Sequence, residues 1–321
     1  MLTNPVNLDT LLSHVHRIAS QAEPLALDAQ MRSYLERFEA APLDAGADLN
    51  VFTFHVRIPE SHRYIQYVDV QHDHHEFDYH AICRHFVRSA TAFNPKVRIY
   101  FVTDLLTPAP SHPQVTVVRL PLDPTAPMYE RVRAMSAYVH SRAYARQTAF
   151  LDTDAFPNCS LSALFDGDFD LALTVRPTEG FYMPLNEGVL LSTARRPDAV
   201  RNFFARYLAT YEKLIADPLV GAYYGNITRW RGGQLSLNAV ASALGALEAR
   251  ADCPDDIRVR IVPCDTHNFW VIPGTSDQPS LLDGKFILHL KGDSKHGIAS
   301  FINYHVARLE RDGQLASLAN A

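Results

Sequence analysis

Apolar positions change their period along the chain. Leu8, Leu11, Leu12, Val15 and Ile18 recur at the spacing of an amphipathic helix, and Met31, Leu35 and Phe38 predict a second, shorter one. From residue 50 onward, short apolar runs alternate with helical stretches. Strands are predicted at residues 51–56, 97–102, 115–120, 149–151, 169–175, 188–192, 258–262 and 286–290. Helices are predicted at about 80–93, 129–145, 198–215, 234–250 and 298–311. The stretch from Asp217 to Gly233, rich in Gly, Tyr and Trp, is read as loop.

Strands alternating with helices imply an α/β fold with a mostly parallel sheet flanked by helices. Residues 1–48 read as an N-terminal helical extension, expected to dock on the domain formed by residues 49–321. In sheets of this type, ligands bind beyond the carboxyl ends of the strands, so chemistry is sought just after each strand.

One strand end stands out. Phe150-Leu151-Asp152-Thr153-Asp154 carries an apolar strand straight into two acids separated by one residue. Residues i and i+2 of a strand point the same way, so both carboxylates can converge on one cation. Oxygen donors select hard ions, here Mg²⁺ or Mn²⁺. The bland alternative is a pair of acids that solvates the strand end or caps the next turn. A second segment, Phe286-Ile287-Leu288-His289-Leu290-Lys291-Gly292-Asp293-Ser294-Lys295, also ends an apolar strand in polar groups. His289 can offer an imidazole to the same metal. Gly292 permits close approach of main-chain N–H groups to phosphate, and Lys295 can neutralise a departing diphosphate. The bland alternative there is a core histidine followed by a polar turn.

Composition narrows the partners. A net charge of −5 without a long basic run argues against nucleic acid. No apolar stretch approaches the ~20 residues of a membrane span. No signal-peptide pattern opens the sequence, so a cytoplasmic protein is expected, with a peripheral place at a membrane as the alternative. Four cysteines without a CxxC pair read as free thiols.

Together these segments resemble the GT-A glycosyltransferases, most closely those like glycosyltransferase family 8. The resemblance rests on the DxD at Asp152–Asp154, on His289-x-x-Gly292-x-x-Lys295, and on Asn186-Glu187-Gly188 opening an apolar strand. It implies a GT-A (Rossmann-like) fold and transfer of a sugar from a nucleotide-diphosphate sugar, a UDP-sugar by preference, to an acceptor hydroxyl of unknown kind. It implies Mn²⁺ or Mg²⁺ at Asp152, Asp154 and His289. Arg133, with Arg131 second, would face the donor, together with Asp152, Thr153, Gly292 and Lys295. Retention is implied, with Gln234 near the reacting face beside Asn186. Glu187 would be the general base if the enzyme inverts. The sequence departs from the family at Gly233, where an acidic residue is usual before the glutamine, and at His296-Gly297, where Pro-Trp is usual.

Aromatic and basic residues between 221 and 233 (Tyr223, Tyr224, Arg229, Trp230, Arg231) offer an acceptor surface or an anchored loop. A rival metal site is conceivable in His72, His74, His75, His80 and His85 with Asp73, Glu76 and Asp78, which would suit a metal-dependent hydrolase. A non-catalytic nucleotide-sugar-binding protein on the same scaffold is the third reading.

Overall fold

The computed structural model describes residues 7–58, 78–177, 183–229, 231–245, 257–272, 274–275, 279–291 and 297–313. Two helices come first, α1 (Leu8–Ser20) and α2 (Ala29–Ala40). Their starts are capped by side chains. Asn7 accepts from the Asp9 N–H, and Asp28 accepts from the Met31 N–H, as N-cap residues do.

A seven-stranded sheet follows, built from β1 (Leu49–Phe54), β2 (Val97–Thr103), β3 (Val115–Arg119), β4 (Thr148–Asp152), β6 (Leu171–Val175), β7 (Leu185–Ser192) and β8 (Val259–Pro263). Its order is β3-β2-β1-β4-β7-β6-β8, and every pairing is parallel except the two made by β7. This is the mixed, mostly parallel α/β sheet that the alternation predicts. Both faces are covered, so central strands such as β1 and β7 are buried at every position, whereas the edge strands β3 and β8 expose some of theirs. In β1, Leu49 and Val51 enter one core, whereas Phe52 and Phe54 enter the other.

One face packs against α4 (Pro127–His140), α5 (Pro197–Ala216) and α7 (Gly232–Ala243). The N-terminal helices join this layer. Leu11 and Val15 of α1 and Met31, Tyr34 and Phe38 of α2 share a core with Phe52, Tyr138 and Phe204. The opposite face packs against α3 (Tyr79–Phe93), α9 (Ile298–Arg311) and a small second sheet. That sheet has the order β5-β10-β9, from β5 (Ala155–Pro157), β9 (Phe269–Trp270), which follows the one-turn helix α8 (Cys264–His267), and β10 (Ile287–His289).

Two departures from expectation fall in the later part of the chain. The stretch read as loop opens with a helix, α6 (Pro218–Tyr224). Asp217 accepts from the N–H groups of Leu219 and Val220, Pro218 fills the first helical position, and Gly225 ends the helix at φ +69°. The second helical stretch ends at Ala243, because Gly245 takes φ +67°; residues 246–250 lie outside the described set. No described helix is long and apolar enough to cross a membrane.

Candidate metal centre

The strand order places the site. β1 leads outward to β2 and β3, and the chain returns to lay β4 on the other side of β1. The crevice between the carboxyl ends of β1 and β4 is therefore a topological switch point. Phe54 and Asp152 are in register there. On the β1 side, His55 stacks on Tyr79 with ring centroids 5.1 Å apart. On the β4 side stands the acidic pair.

After Asp152 the chain turns, burying Thr153, and becomes β5. β5 runs antiparallel to β10 with Ala155 opposite His289, and the Leu290 N–H donates to the Asp154 carbonyl at 3.0 Å. This pairing brings the imidazole to the acids. His289 Nε2 lies 3.3 Å from Asp154 Oδ1 and 3.7 Å from Asp152 Oδ2. Ligand atoms of the three residues all fall within 4.8 Å of one another, a group that could hold a metal ion. Two carboxylates and one imidazole suit a hard or borderline divalent cation. Gly188 keeps the cradle open. A Cβ there would stand 2.3 Å from His289 Cε1 and 2.7 Å from Asp152 Oδ2.

A hydrogen-bonded chain behind His289 sets its tautomer. His289 Nδ1 lies 2.8 Å from Asn268 Oδ1. The Asn268 amide donates to Asn186 Oδ1 at 2.7 Å and to Thr174 Oγ1 at 3.0 Å. With both amide hydrogens spent, Oδ1 is left to accept, so Nδ1 carries the proton and Nε2 offers its lone pair to the acids' side. Asn186 in turn donates to Gln234 Oε1 at 3.3 Å, which also accepts from Arg176 at 3.4 Å. Burial pushes the His289 pKa down, an effect that nearby Lys291 reinforces and the two aspartates oppose. The imidazole is therefore held neutral, the form that binds metal.

Arg131 and Arg133 sit two positions apart on α4 and face different ways. Arg131 lies 2.9 Å from Asp152 Oδ1 and 3.6 Å from Glu187 Oε1, and donates to the Glu187 carbonyl at 2.8 Å. Arg133, the first choice from sequence, turns instead to the N-terminal helices. It donates to Asp28 Oδ2 at 2.6 Å and to Gln30 Oε1 at 2.5 Å, and lies over the rings of Tyr34 and Tyr129. The direction of the side chain along α4, not the residue type, decides which arginine reaches the acids.

Glu187 is buried, and burial raises its pKa while Arg131 opposes the rise. Tyr207 donates to its Oε2 at 3.0 Å. Gln234 sits in the first turn of α7, just after Arg231, whose φ of +67° is the one positive value among described non-glycine residues. Tyr223 and Tyr224 pack edge to face on α6, and Arg231 lies over Tyr224.

No family model matches the chain, and no curated protein matches it. Solved structures show a loose likeness. The glycosyltransferase GlyE of Streptococcus pneumoniae TIGR4 is 15% identical with a TM-score of 0.45, over 84% of this chain and 64% of GlyE. This chain thus spans just under two thirds of GlyE. The galactosyltransferase LgtC, solved with donor and acceptor sugar analogues, is 14% identical with a TM-score of 0.41, over 83% of this chain and 100% of LgtC. A glycosyltransferase involved in glycosylation of the major capsid of PBCV-1 is 10% identical with a TM-score of 0.40, over 80% and 98% of the two chains. With TM-scores below 0.5 these likenesses carry no weight for function, which rests on the site itself.

Several expectations fall outside the described residues: Gly292, Lys295, Trp230, and the histidine-rich run containing His72, Asp73, His74, His75 and Glu76. The described members of that run do not converge. Asp78 caps α3 by accepting from the Ala81 N–H, His80 is exposed, and buried His85 pairs with His305 of α9. Among the described residues Asp152, Asp154 and His289 form the one group of this kind that could hold a metal ion. Sequence reading missed Asn268, whose type and spacing give no signal; only its contact with His289 marks it.

Proposed function

We propose that the chain is a metal-dependent glycosyltransferase of the GT-A kind, moving a sugar from a nucleotide-diphosphate sugar to an acceptor hydroxyl. The observation that carries this reading is the convergence of Asp152, Asp154 and His289 at the switch point of the sheet. These three residues would hold Mn²⁺ or Mg²⁺. A bound cation would supply neutralisation of the charge that grows on a diphosphate leaving group.

The chain's own residues do the rest. Asp152 splits its oxygens, Oδ1 toward Arg131 and Oδ2 toward His289, so Arg131 fixes its presentation as a ligand. Asn268 holds His289 in the ligating tautomer. The stacked His55–Tyr79 pair beside β1 offers a planar wall for a base, by preference that of a UDP-sugar. Gly292 and Lys295 are assigned to the diphosphate from their place after His289. Gln234 and Asn186 are assigned to the reacting face. Glu187 is engaged by Tyr207 and Arg131 and little exposed, which favours retention over a mechanism that uses it as acceptor base.

The test is thermal shift with UDP, GDP, ADP and CMP, with and without Mn²⁺, on the wild type and Asp154→Ala. A ligand at ~100 times its Kd that binds only the folded chain adds ~2.7 kcal/mol. One nucleotide should stabilise the wild type only with metal, and the variant not at all. No shift with any nucleotide and metal would remove the proposal. Nucleotide binding without turnover of any sugar donor would leave a binding protein on this scaffold.

A further inference from the structure

Arg131 is an unusual neighbour for a cation site. It is buried, and its guanidinium touches Asp152, the carboxylate that must also face the metal. Alone, such a charge would draw both oxygens of Asp152 toward itself and repel a divalent ion beside it. A second anion at the guanidinium's other terminal nitrogen removes that difficulty, and Glu187 Oε1 stands 3.6 Å from Arg131 Nη1 while Asp152 Oδ1 takes Nη2.

The seat of Glu187 is built rather than incidental. The Tyr207 hydroxyl lies 3.0 Å from both Glu187 Oε2 and the Gly233 carbonyl, tying the carboxylate to the start of α7. Gly233 supplies the space. A Cβ at that position would stand 2.1 Å from Glu187 Oε2 and 2.9 Å from its Cδ. Residue 233 therefore has to lack a side chain for the carboxylate at 187 to reach this place.

We propose that Glu187, admitted by Gly233, is a positioning residue for the metal ligand Asp152, acting through Arg131. This rests on the metal reading above. The two carboxylates, of Glu187 and Asp152, share the one guanidinium of Arg131 through different nitrogens. This sharing leaves Asp152 Oδ2 available on the side of His289.

The experiment measures Mn²⁺ affinity directly, from the electron paramagnetic resonance signal of the free ion, without any sugar donor. Glu187→Gln keeps the shape and removes the charge, and should weaken Mn²⁺ about tenfold, as loss of a residue supporting a metal ligand does. Gly233→Ala should weaken it similarly, by displacing the carboxylate. In Glu187→Ala, the added Gly233→Ala change should cost nothing further, because no carboxylate remains to be displaced. A role for Gly233 in helix packing alone would leave its substitution as harmful in that background as in the wild type, and would overturn the proposal. Unchanged Mn²⁺ affinity in Glu187→Gln would also overturn it. If the wild type binds Mn²⁺ no better than Asp154→Ala, the metal reading itself falls and takes this proposal with it.

Discussion

The two sides of the small sheet hold buried histidines in opposite ways. On the side of Ala155, His289 meets two aspartates and Asn268. On the side of Phe156, His85 lies edge-on to that ring at 4.6 Å and shares a 2.9 Å N···N hydrogen bond with His305, which stacks on Phe301. All three imidazoles are kept neutral by burial. The difference lies in the remaining nitrogens. Those of His289 both face polar partners, whereas His85 Nδ1 and His305 Nε2 have no hydrogen-bond partner among the described residues. The charged groups that act on the His85–His305 pair are Arg88 and Arg308, and among the described residues no acid joins the pair in a group that could hold a cation. Residue type alone does not make a ligand; a carboxylate at the open nitrogen and an acceptor at the other do.

This contrast can be broken from either side. The largest effect is expected from Gly188→Ala, whose Cβ would collide with His289 and Asp152. Metal-dependent stabilisation by nucleotide, ~2.7 kcal/mol at a hundredfold excess over Kd, should vanish in thermal shift while circular dichroism stays that of a folded chain. Asn268→Ala should come next. It turns His289 toward the condition of His85 by removing the acceptor at Nδ1, and should weaken Mn²⁺ by roughly 10- to 100-fold in a calorimetric titration.

On the other side, the pair predicts acid sensitivity. Burial pushes the His305 pKa down to about 3, below the ~6.5 of an exposed histidine. The unfolded chain therefore binds a proton that the folded chain refuses. Stability is unaffected above about pH 6.5 and is lost as pH falls from there toward 3, by up to ~1.4 kcal/mol per pH unit for one group. His305→Phe should flatten urea-derived stability over pH 6 to 4 by up to that slope. The smallest effect is expected for Arg133→Ala. Loss of its partly exposed pairing with Asp28 should cost about 1 kcal/mol in urea unfolding, with Mn²⁺ affinity unchanged. Weaker Mn²⁺ binding in that variant would place Arg133 back at the site.

The sheet and its helices were legible because burial on both faces writes long apolar runs, as at Val97–Thr103, and because amphipathic helices write their period, as at Ile298–Arg311. The acids at the end of β4 were legible for the same reason, since an apolar run stops at them. β5 and β9, of three and two residues, are too short to carry a period, and long-range pairing alone defines them. Helix α4 is buried nearly all round, so apolar spacing could not tell the Arg131 face from the Arg133 face. Gly233 is informative through what it lacks, which only the Glu187 carboxylate beside it reveals.

The antiparallel pairing of β5 with β10 also orders events in time. During synthesis the two aspartates emerge long before His289, and most of the large sheet can form around them while the third ligand is still unmade. If the three residues hold a metal, a nascent chain would carry only two of the three ligands and grip a cation poorly. On the proposed reading, full capture would wait for β10, the last described strand, to close beside β5, and metal binding would then add to the stability of that closure. A cation that binds tightly would serve as a completion signal, distinguishing a finished molecule from one stalled before its final strand.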